Sequence, residues 1–439
     1  MNLMIDVAEP DSNSIFITGD TYLQSDFWAE EPCSDEVKAI ISESGLSLTN
    51  LEAPLQSGNP VKKYGSNLSV SENTIEKISR CGFDAVSLAN NHIMDYGSQG
   101  LRQVIDACTA ENVETFGAGE DQDTAFAPLI GEVNGQSVAI VGCCEFEESV
   151  ATSHSSGATW SQSPKLFCHL EELSSQFDVT VLIAHGGLEY VPLPPSWWRN
   201  HLRTLSKTGI DAIVAHHPHT PQGWEIFKGT PIMYSLGNFL MYNHEWPSTS
   251  WSIGIQFVLD DGGISDVRMA FLTTSDGTVQ KMNDEERTEY RKYIDASSSV
   301  IRNQGEFRSY WQEIACRLYY ENTYRYQYHH RFKEYGVGHL LSFLYDPIRE
   351  LDRVTKGIIG TKSRDRKRLA LRDYTMTQSH RDAIQTALAI PTGVVEDARE
   401  KTPPSDIDWL FQYADGREKQ PFTRRQVGRL RTLIDRIGH

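Results

Sequence analysis

The sequence predicts an α/β fold, and three observations predict it. Short β-branched apolar runs alternate with amphipathic stretches between residues 14 and 215, the pattern of βαβ units. Each of five such runs is followed at once by polar residues with N or O donors, four of them with glycine close by. Past Pro221 the pattern changes to hairpins, whose turns carry Lys-Gly and Asp-Gly-Gly between alternating strands.

In chain order, the apolar runs predict strands at 14–18, 46–50, 84–89, 113–116, 137–142, 179–184 and 211–215. The amphipathic stretches between them predict helices at 34–43, 71–81, 97–111, 165–176 and 195–208. The segments GWEIFKGTPIMYSL and WSIGIQFVLDDGGISDVRMAFLTT predict antiparallel β-structure. Beyond residue 282 the chain turns helical, and EKTPPSD at 400–406 reads as a linker before one or two last helices. His329 and His330 fall on a Tyr- and Arg-rich helix, where a helix face is the simpler reading than a ligand pair. Two regions result: 1–281, with the candidate chemistry, and 282–439, a helical C-terminal region expected to serve substrate or partner binding without a catalytic group of its own.

Charge divides the chain near the same place. Residues 1–280 hold 12 Lys and Arg against 36 Asp and Glu, net −24, whereas 281–439 hold 29 against 23, net +6. So acidic a front part repels phosphate backbones, and no nucleic-acid partner is expected. A cluster at 361–368, TKSRDRKR, has five basic residues, enough to attract an anionic polymer or membrane surface electrostatically. Seven cysteines, an odd number with no C-x-x-C pair, predict free thiols. The opening MNLMIDVAEPDSNSIFITGD lacks a basic n-region and an apolar core of signal length, and no run of about 18 apolar residues follows elsewhere. The expectation is a cytoplasmic chain with no membrane anchor.

In an open α/β sheet, ligands bind at the carboxyl ends of the strands, so the polar residues there are the ones to collect. They are Asp20; Asn50 and Glu52; Asn90, Asn91, His92 and Asp95; His185 and Glu189; and the cluster His216, His217 and His219. Any one of these side chains commonly caps the next helix or ends a strand. Five ends together are not well explained that way. Pro218 prevents helix or strand from continuing through the histidine cluster, so His217 and His219 sit on a turn that can aim both at one point. Aromatics follow His185, with Tyr190, Trp197 and Trp198 in EYVPLPPSWW, where they either line a groove or pack on the sheet.

FITGDTYL, LTNLEAPL, SLANNHIMDYG, LIAHGGLEY, AHHPHTPQ and MYSLGNF occur in this order over roughly residues 14–240. In this the sequence resembles the CapA-like proteins of capsule and poly-gamma-glutamate synthesis, a branch of the calcineurin-like metallophosphatase superfamily. The resemblance implies a four-layer α/β/β/α metallophosphatase-like sandwich followed by a mainly helical extension. It further implies one or two divalent metal ions, manganese, magnesium or zinc. Asp20, Glu52, Asn91, His185, His217 and His219 match the metal-ligand positions, and His92, with Asp95 to orient it, matches the general acid. Tyr22, Asn90, Glu189, His216 and Asn238 fall where a residue contacts substrate or supports a ligand. Two departures stand out: Tyr22 occupies a position where phosphatases of this fold carry histidine, and Glu52 is one methylene longer than the usual aspartate. A site short of one imidazole favours a harder, oxygen-loving ion.

The chemistry implied first is hydrolysis of a phosphoester, with His92 protonating the leaving oxygen. The same Lewis acid can act on a peptide or γ-glutamyl carbonyl, which allows amide formation, amide cleavage or Cα epimerisation instead. A third reading is a noncatalytic capsule-polymer assembly factor. The expected partner is accordingly a phosphorylated, peptide or polyglutamyl substrate.

Overall fold

Two β-sheets stack face to face with helices on both outer sides. The coordinates are a computed structural model that describes residues 6–23, 27–63, 65–145, 149–242, 250–318, 377–390, 394–399 and 404–415. The first sheet collects β1 (Asp6–Val7), β2 (Ser14–Thr21), β3 (Leu46–Leu51), β4 (Ala85–Ser87) and β5 (Glu114–Phe116), together with β14 (Trp251–Asp260), β15 (Gly263–Ser275) and β16 (Thr278–Lys281). Its order is β1-β15-β14-β2-β3-β4-β5, with β16 beside β15. From β2 to β5 the strands are parallel, whereas β14 lies antiparallel to both β2 and β15. The second sheet contains β7 (Leu129–Val133), β8 (Gln136–Cys144), β10 (Val179–His185), β11 (Ala212–His216), β12 (Trp224–Phe227) and β13 (Thr230–Met233), in the order β12-β13-β11-β10-β8-β7. A short ribbon pairs β6 (Ala118–Gly119) with β9 (Gly157–Ala158).

Strand alternation sets the layers, because successive side chains point to opposite faces. Ile15, Ile17 and Leu48 of the first sheet meet Ile140, Ile183 and Val214 of the second in a shared core. Phe16, Leu51 and Val86 point the other way, onto α1 (Asp35–Glu43), α2 (Glu72–Cys81) and α3 (Gly97–Ala110). On the far side, Val141, Leu182 and Ile213 pack with α5 (Pro164–Gln176) and α6 (Ser196–Leu205). A four-layer α/β/β/α sandwich results, as the family resemblance implies. A short helix, α4 (Gln122–Ala125), is closed by a capping box between Asp121 and Thr124.

All seven predicted strands and all five predicted front-region helices are present within a few residues. The predicted helix 195–208 ends early at Leu205 and tightens into a 3₁₀ turn, stopped by Gly209 in the left-handed region with φ 93°. The section after Pro221 is only partly antiparallel. β12 and β13 form the predicted hairpin about Lys228-Gly229, but β13 also pairs in parallel with β11, so it extends the second sheet. β7 went unpredicted because Pro128 and Gly131 interrupt its apolar pattern.

Helices continue past residue 282 with α7 (Asp284–Arg302), α8 (Gln304–Ala315), α9 (Gln378–Ala389) and α10 (Pro404–Asp415). They share cores with the front region. Tyr293 and Ile294 of α7 enter the core between the sheets, while Phe307 and Trp311 of α8, Ala383 and Ala387 of α9 and Phe411 of α10 join the core behind the second sheet. His329, His330 and the basic stretch 361–368 lie outside the described residues. No helix among the described residues is long and apolar enough to cross a membrane, and all seven cysteines are free thiols.

Candidate metal centre

The five collected strand ends converge where the carboxyl edges of the two sheets face each other. Asp20 sits near the end of β2, where the pairing with β3 shifts register after Ile17 and brings Asp20 opposite Asn50. Gly19 allows the close approach this requires, since a Cβ there would overlap the carbonyl of Gly237. The backbone of Asp20 is held on both sides, its N–H donating to Gly237 O at 2.9 Å and its O accepting from Phe239 N at 2.8 Å.

Asp20 is the electrostatic centre of the cluster, with its carboxylate fully buried. Oδ1 accepts from Asn50 Nδ2 at 2.7 Å, and Oδ2 from the backbone N–H of His217 at 3.2 Å. Three imidazoles surround it: His216 Nδ1 at 3.4 Å, His219 Nδ1 at 3.6 Å and His185 Nδ1 at 3.9 Å. Burial by itself pushes this carboxyl up, but the neighbouring histidines, His216 foremost, outweigh it and hold Asp20 well below the usual carboxylate range. His185 is lowered too, but for a different reason. Burial first, then the nearby His217, keep it well below its ordinary value and therefore neutral, the form that ligates metals.

Glu52 lies opposite Asp20, with Oε1 3.7 Å from His185 Nε2 and 3.6 Å from His219 Nε2. Glu52, His217 and His219 each offer a ligand atom within 4.8 Å of the others, and all three are buried. Asn91 reaches the cluster through Oδ1, 3.0 Å from His185 Nε2. The six predicted ligands therefore stand together. Both histidines of the turn hold left-handed backbone, His217 at φ 98° and His219 at φ 56°, which costs a non-glycine residue energy and is found where side chains must be aimed.

The other predicted residues surround this core. His216, the last residue of β11, is buried against Asp20. Asn238 Oδ1 lies 3.0 Å from His219 Nδ1 and fixes that ring. Asn90 donates to Leu51 O at 2.8 Å and accepts from His92 N at 3.2 Å, so it shapes the turn that carries His92. Glu189 is exposed, and its charge acts on both His92 and His217. Tyr22 packs half-buried against the apolar cluster under the first sheet. Of the aromatics after His185, Trp198 is fully buried on the second sheet, whereas Tyr190 lies 5.7 Å from the His219 ring.

His92 Nδ1 stands 2.7 Å from Asp95 Oδ2, and the same oxygen accepts from Leu68 N at 2.7 Å. Lys63, which the sequence gives no reason to select, is ion-paired to Asp95 and has Nζ 3.0 Å from His92 Nδ1. Burial depresses His92 below its ordinary value; the hydrogen bond to Asp95 opposes this, and the Lys63 charge adds to it.

The donor set fits a divalent metal. Carboxylate, amide and imidazole groups of this kind, converging in a buried cluster, are ligands of first-row and hard cations. His217 Nδ1 is also buried without a hydrogen-bond partner among the described residues, a cost that a ligand in the cluster would remove.

The family profile described as "Bacterial capsule synthesis protein PGA_cap" matches residues 14–243, the stretch that contains every residue of the cluster. "Capsule biosynthesis protein CapA" of Bacillus anthracis is 30% identical over 255 residues, 55% of this chain and 61% of that relative. "PGA biosynthesis protein CapA" of Bacillus subtilis (strain 168) is 29% identical over 232 residues, 52% of this chain and 61% of that relative. This chain thus spans less than two thirds of the length of the curated relatives it matches. Among solved structures, a 5'-nucleotidase precursor from Thermus thermophilus shows a weak likeness, with TM-score 0.36, 13% identity, and coverage of 64% of this chain and 58% of that one. With its family profile spanning the whole site, the chain belongs to the bacterial capsule synthesis protein family.

Proposed function

We propose that this protein is a metal-dependent hydrolase of phosphoesters, with His92 as general acid. The observation that carries the reading is the convergence of Glu52, His217 and His219 ligand atoms within 4.8 Å, beside a histidine already oriented by a carboxylate. Asp20, Glu52, Asn91, His185, His217 and His219 would hold one or two divalent ions. Such an ion supplies Lewis acidity, polarising a substrate oxygen and bringing the ionisation of water towards neutral pH.

The chain's own groups do the rest. With Nδ1 facing Asp95, His92 has Nε2 left to give a proton to a departing alkoxide. Asp95 holds the ring and Lys63 neutralises that carboxylate, so the imidazole is fixed in direction. Asn238 does the same for His219 and Asn50 for Asp20. The aim of each group is set before substrate arrives, which is the source of most electrostatic catalysis.

A second reading is favoured by the relatives' names, which speak of capsule and PGA biosynthesis: a metal-assisted peptide or γ-glutamyl tailoring enzyme working in the cytoplasm, with His92 moving a proton at an amide or at Cα. A noncatalytic role in polymer assembly would leave the His92–Asp95–Lys63 arrangement without a use.

One assay separates these. Wild-type protein with manganese, magnesium or zinc is offered aryl phosphates, phosphodiesters and glutamyl peptides in deuterated water. Phosphoester cleavage that requires the metal is the expected result. Intact phosphoesters with Cα deuteration or amide change in a peptide would move the assignment to tailoring, and no reaction with any of them would favour assembly.

A further inference from the structure

His185 ends β10, and the two glycines that follow bring no side chains to anchor the turn. Its anchors come from elsewhere. Glu145, which follows β8, reaches the turn twice: its backbone N–H donates to His185 O at 2.8 Å, and its Oε2 accepts from Gly187 N at 3.1 Å. Between those two contacts Gly186 N donates to His216 O at 3.1 Å. Gly186 has no room for a side chain, since a Cβ there would lie 2.9 Å from both Glu145 Cβ and Trp198 Cη2. The backbone that carries His185 is therefore clamped at three successive residues, at the first and last of them to Glu145.

Glu145 is 2% exposed, and a buried carboxylate stays in place only where donors surround it. Its other donors come from the C-terminal region. Oε1 accepts from Ser379 N at 2.6 Å, and Oε2, the oxygen that takes Gly187 N, also accepts from Ser379 Oγ at 2.7 Å. Ser379 is fully buried in the first turn of α9, where backbone N–H groups have no partner within the helix and favour a negative charge. α9 is held separately one turn along, where Asp382 Oδ2 accepts from Trp197 N at 3.0 Å at the start of α6. A chain of hydrogen bonds thus runs from Ser379 through one carboxylate oxygen to the turn that carries a histidine of the metal centre.

We propose that Glu145 is a positioning residue for His185 and that Ser379 locks it in place, so that the C-terminal region completes the metal centre without entering it. The proposal rests on the metal centre of the proposed function and deepens it, and it holds for phosphoester and peptide chemistry alike. Once the Glu145 carboxylate is lost or turns away, the His185 backbone gains freedom. The imidazole then no longer keeps its place beside Asp20 and Glu52, and metal affinity falls.

The test is manganese binding to the full-length chain by titration calorimetry, with thermal midpoints of the metal-free proteins measured in parallel. Glu145→Gln, which accepts at one oxygen only, is expected to bind manganese about tenfold more weakly than wild type, the lower end of the range for residues that hold a ligand in place. Ser379→Ala is expected to lose about threefold. The double variant should lose no more than Glu145→Gln alone, since Ser379 acts through Glu145. Asp382→Ala loosens α9 at its other tie and is expected to keep the wild-type affinity. A purely structural carboxylate would lower the midpoint and leave the affinity alone. Manganese affinity of Glu145→Gln within about twofold of wild type, additive losses in the double variant, or an equal loss in Asp382→Ala would each overturn the proposal while leaving the metal centre intact. Should Glu145→Gln not fold, Ser379→Ala against Asp382→Ala decides alone: a loss in the first and none in the second upholds the proposal, and any other result overturns it. Absence of manganese binding by wild type would overturn both the proposal and the metal centre.

Discussion

Replacing His92 with asparagine is expected to leave the metal content unchanged and to lower turnover by roughly 10²- to 10⁴-fold, the usual contribution of a positioned general acid. The substitution preserves size and polarity beside Asp95 and Lys63, but it removes the only group in that trio able to give up a proton from an imidazole. Metal content should persist because His92 is not among the side chains around Asp20 and Glu52. The check is a steady-state assay on the metal-loaded variant beside elemental analysis of the same sample. A variant that keeps metal and wild-type turnover would remove His92 from the mechanism.

Asp20→Asn is expected to be as damaging by a different route. The carboxylate is approached by His216, His219 and His185 and also accepts from Asn50 Nδ2 and His217 N. An amide in its place accepts at one oxygen only and turns its NH₂ towards groups that are themselves donors. Loss of a residue that merely supports a ligand costs 10- to 100-fold in metal affinity, so loss of this one should reach about 100-fold or more. Manganese at about 100 times the wild-type Kd should stabilise wild type by about 2.7 kcal/mol and leave the variant's thermal midpoint almost unmoved. Equal metal-induced shifts in the two proteins would show that Asp20 is not a ligand.

Much of this site is legible in the sequence because strand ends are. A β-branched run that stops at a polar residue states both where a strand ends and which side chain stands at its carboxyl edge. That logic collects Asp20, Glu52, Asn91, His185, His217 and His219 among other strand-end residues, the family resemblance marks these six as ligand positions, and the structure brings all six together. What it misses is instructive. Lys63 comes from an irregular loop, and its position carries no periodic signal. Residues brought in by tertiary packing alone leave no mark on local pattern. The layering of the fold, by contrast, follows from the alternation that sends Ile15 and Ile17 to one face of β2 and Phe16 to the other.

Metal content decides the central claim most directly. Wild type and the double variant His217→Ala, His219→Ala are purified alike, saturated with manganese, passed through a desalting column and submitted to elemental analysis. If the turn after β11 supplies two ligands, wild type retains one or two divalent ions per chain and the double variant retains essentially none. If both proteins carry the same metal load, the centre drawn around Asp20, Glu52 and these histidines is wrong.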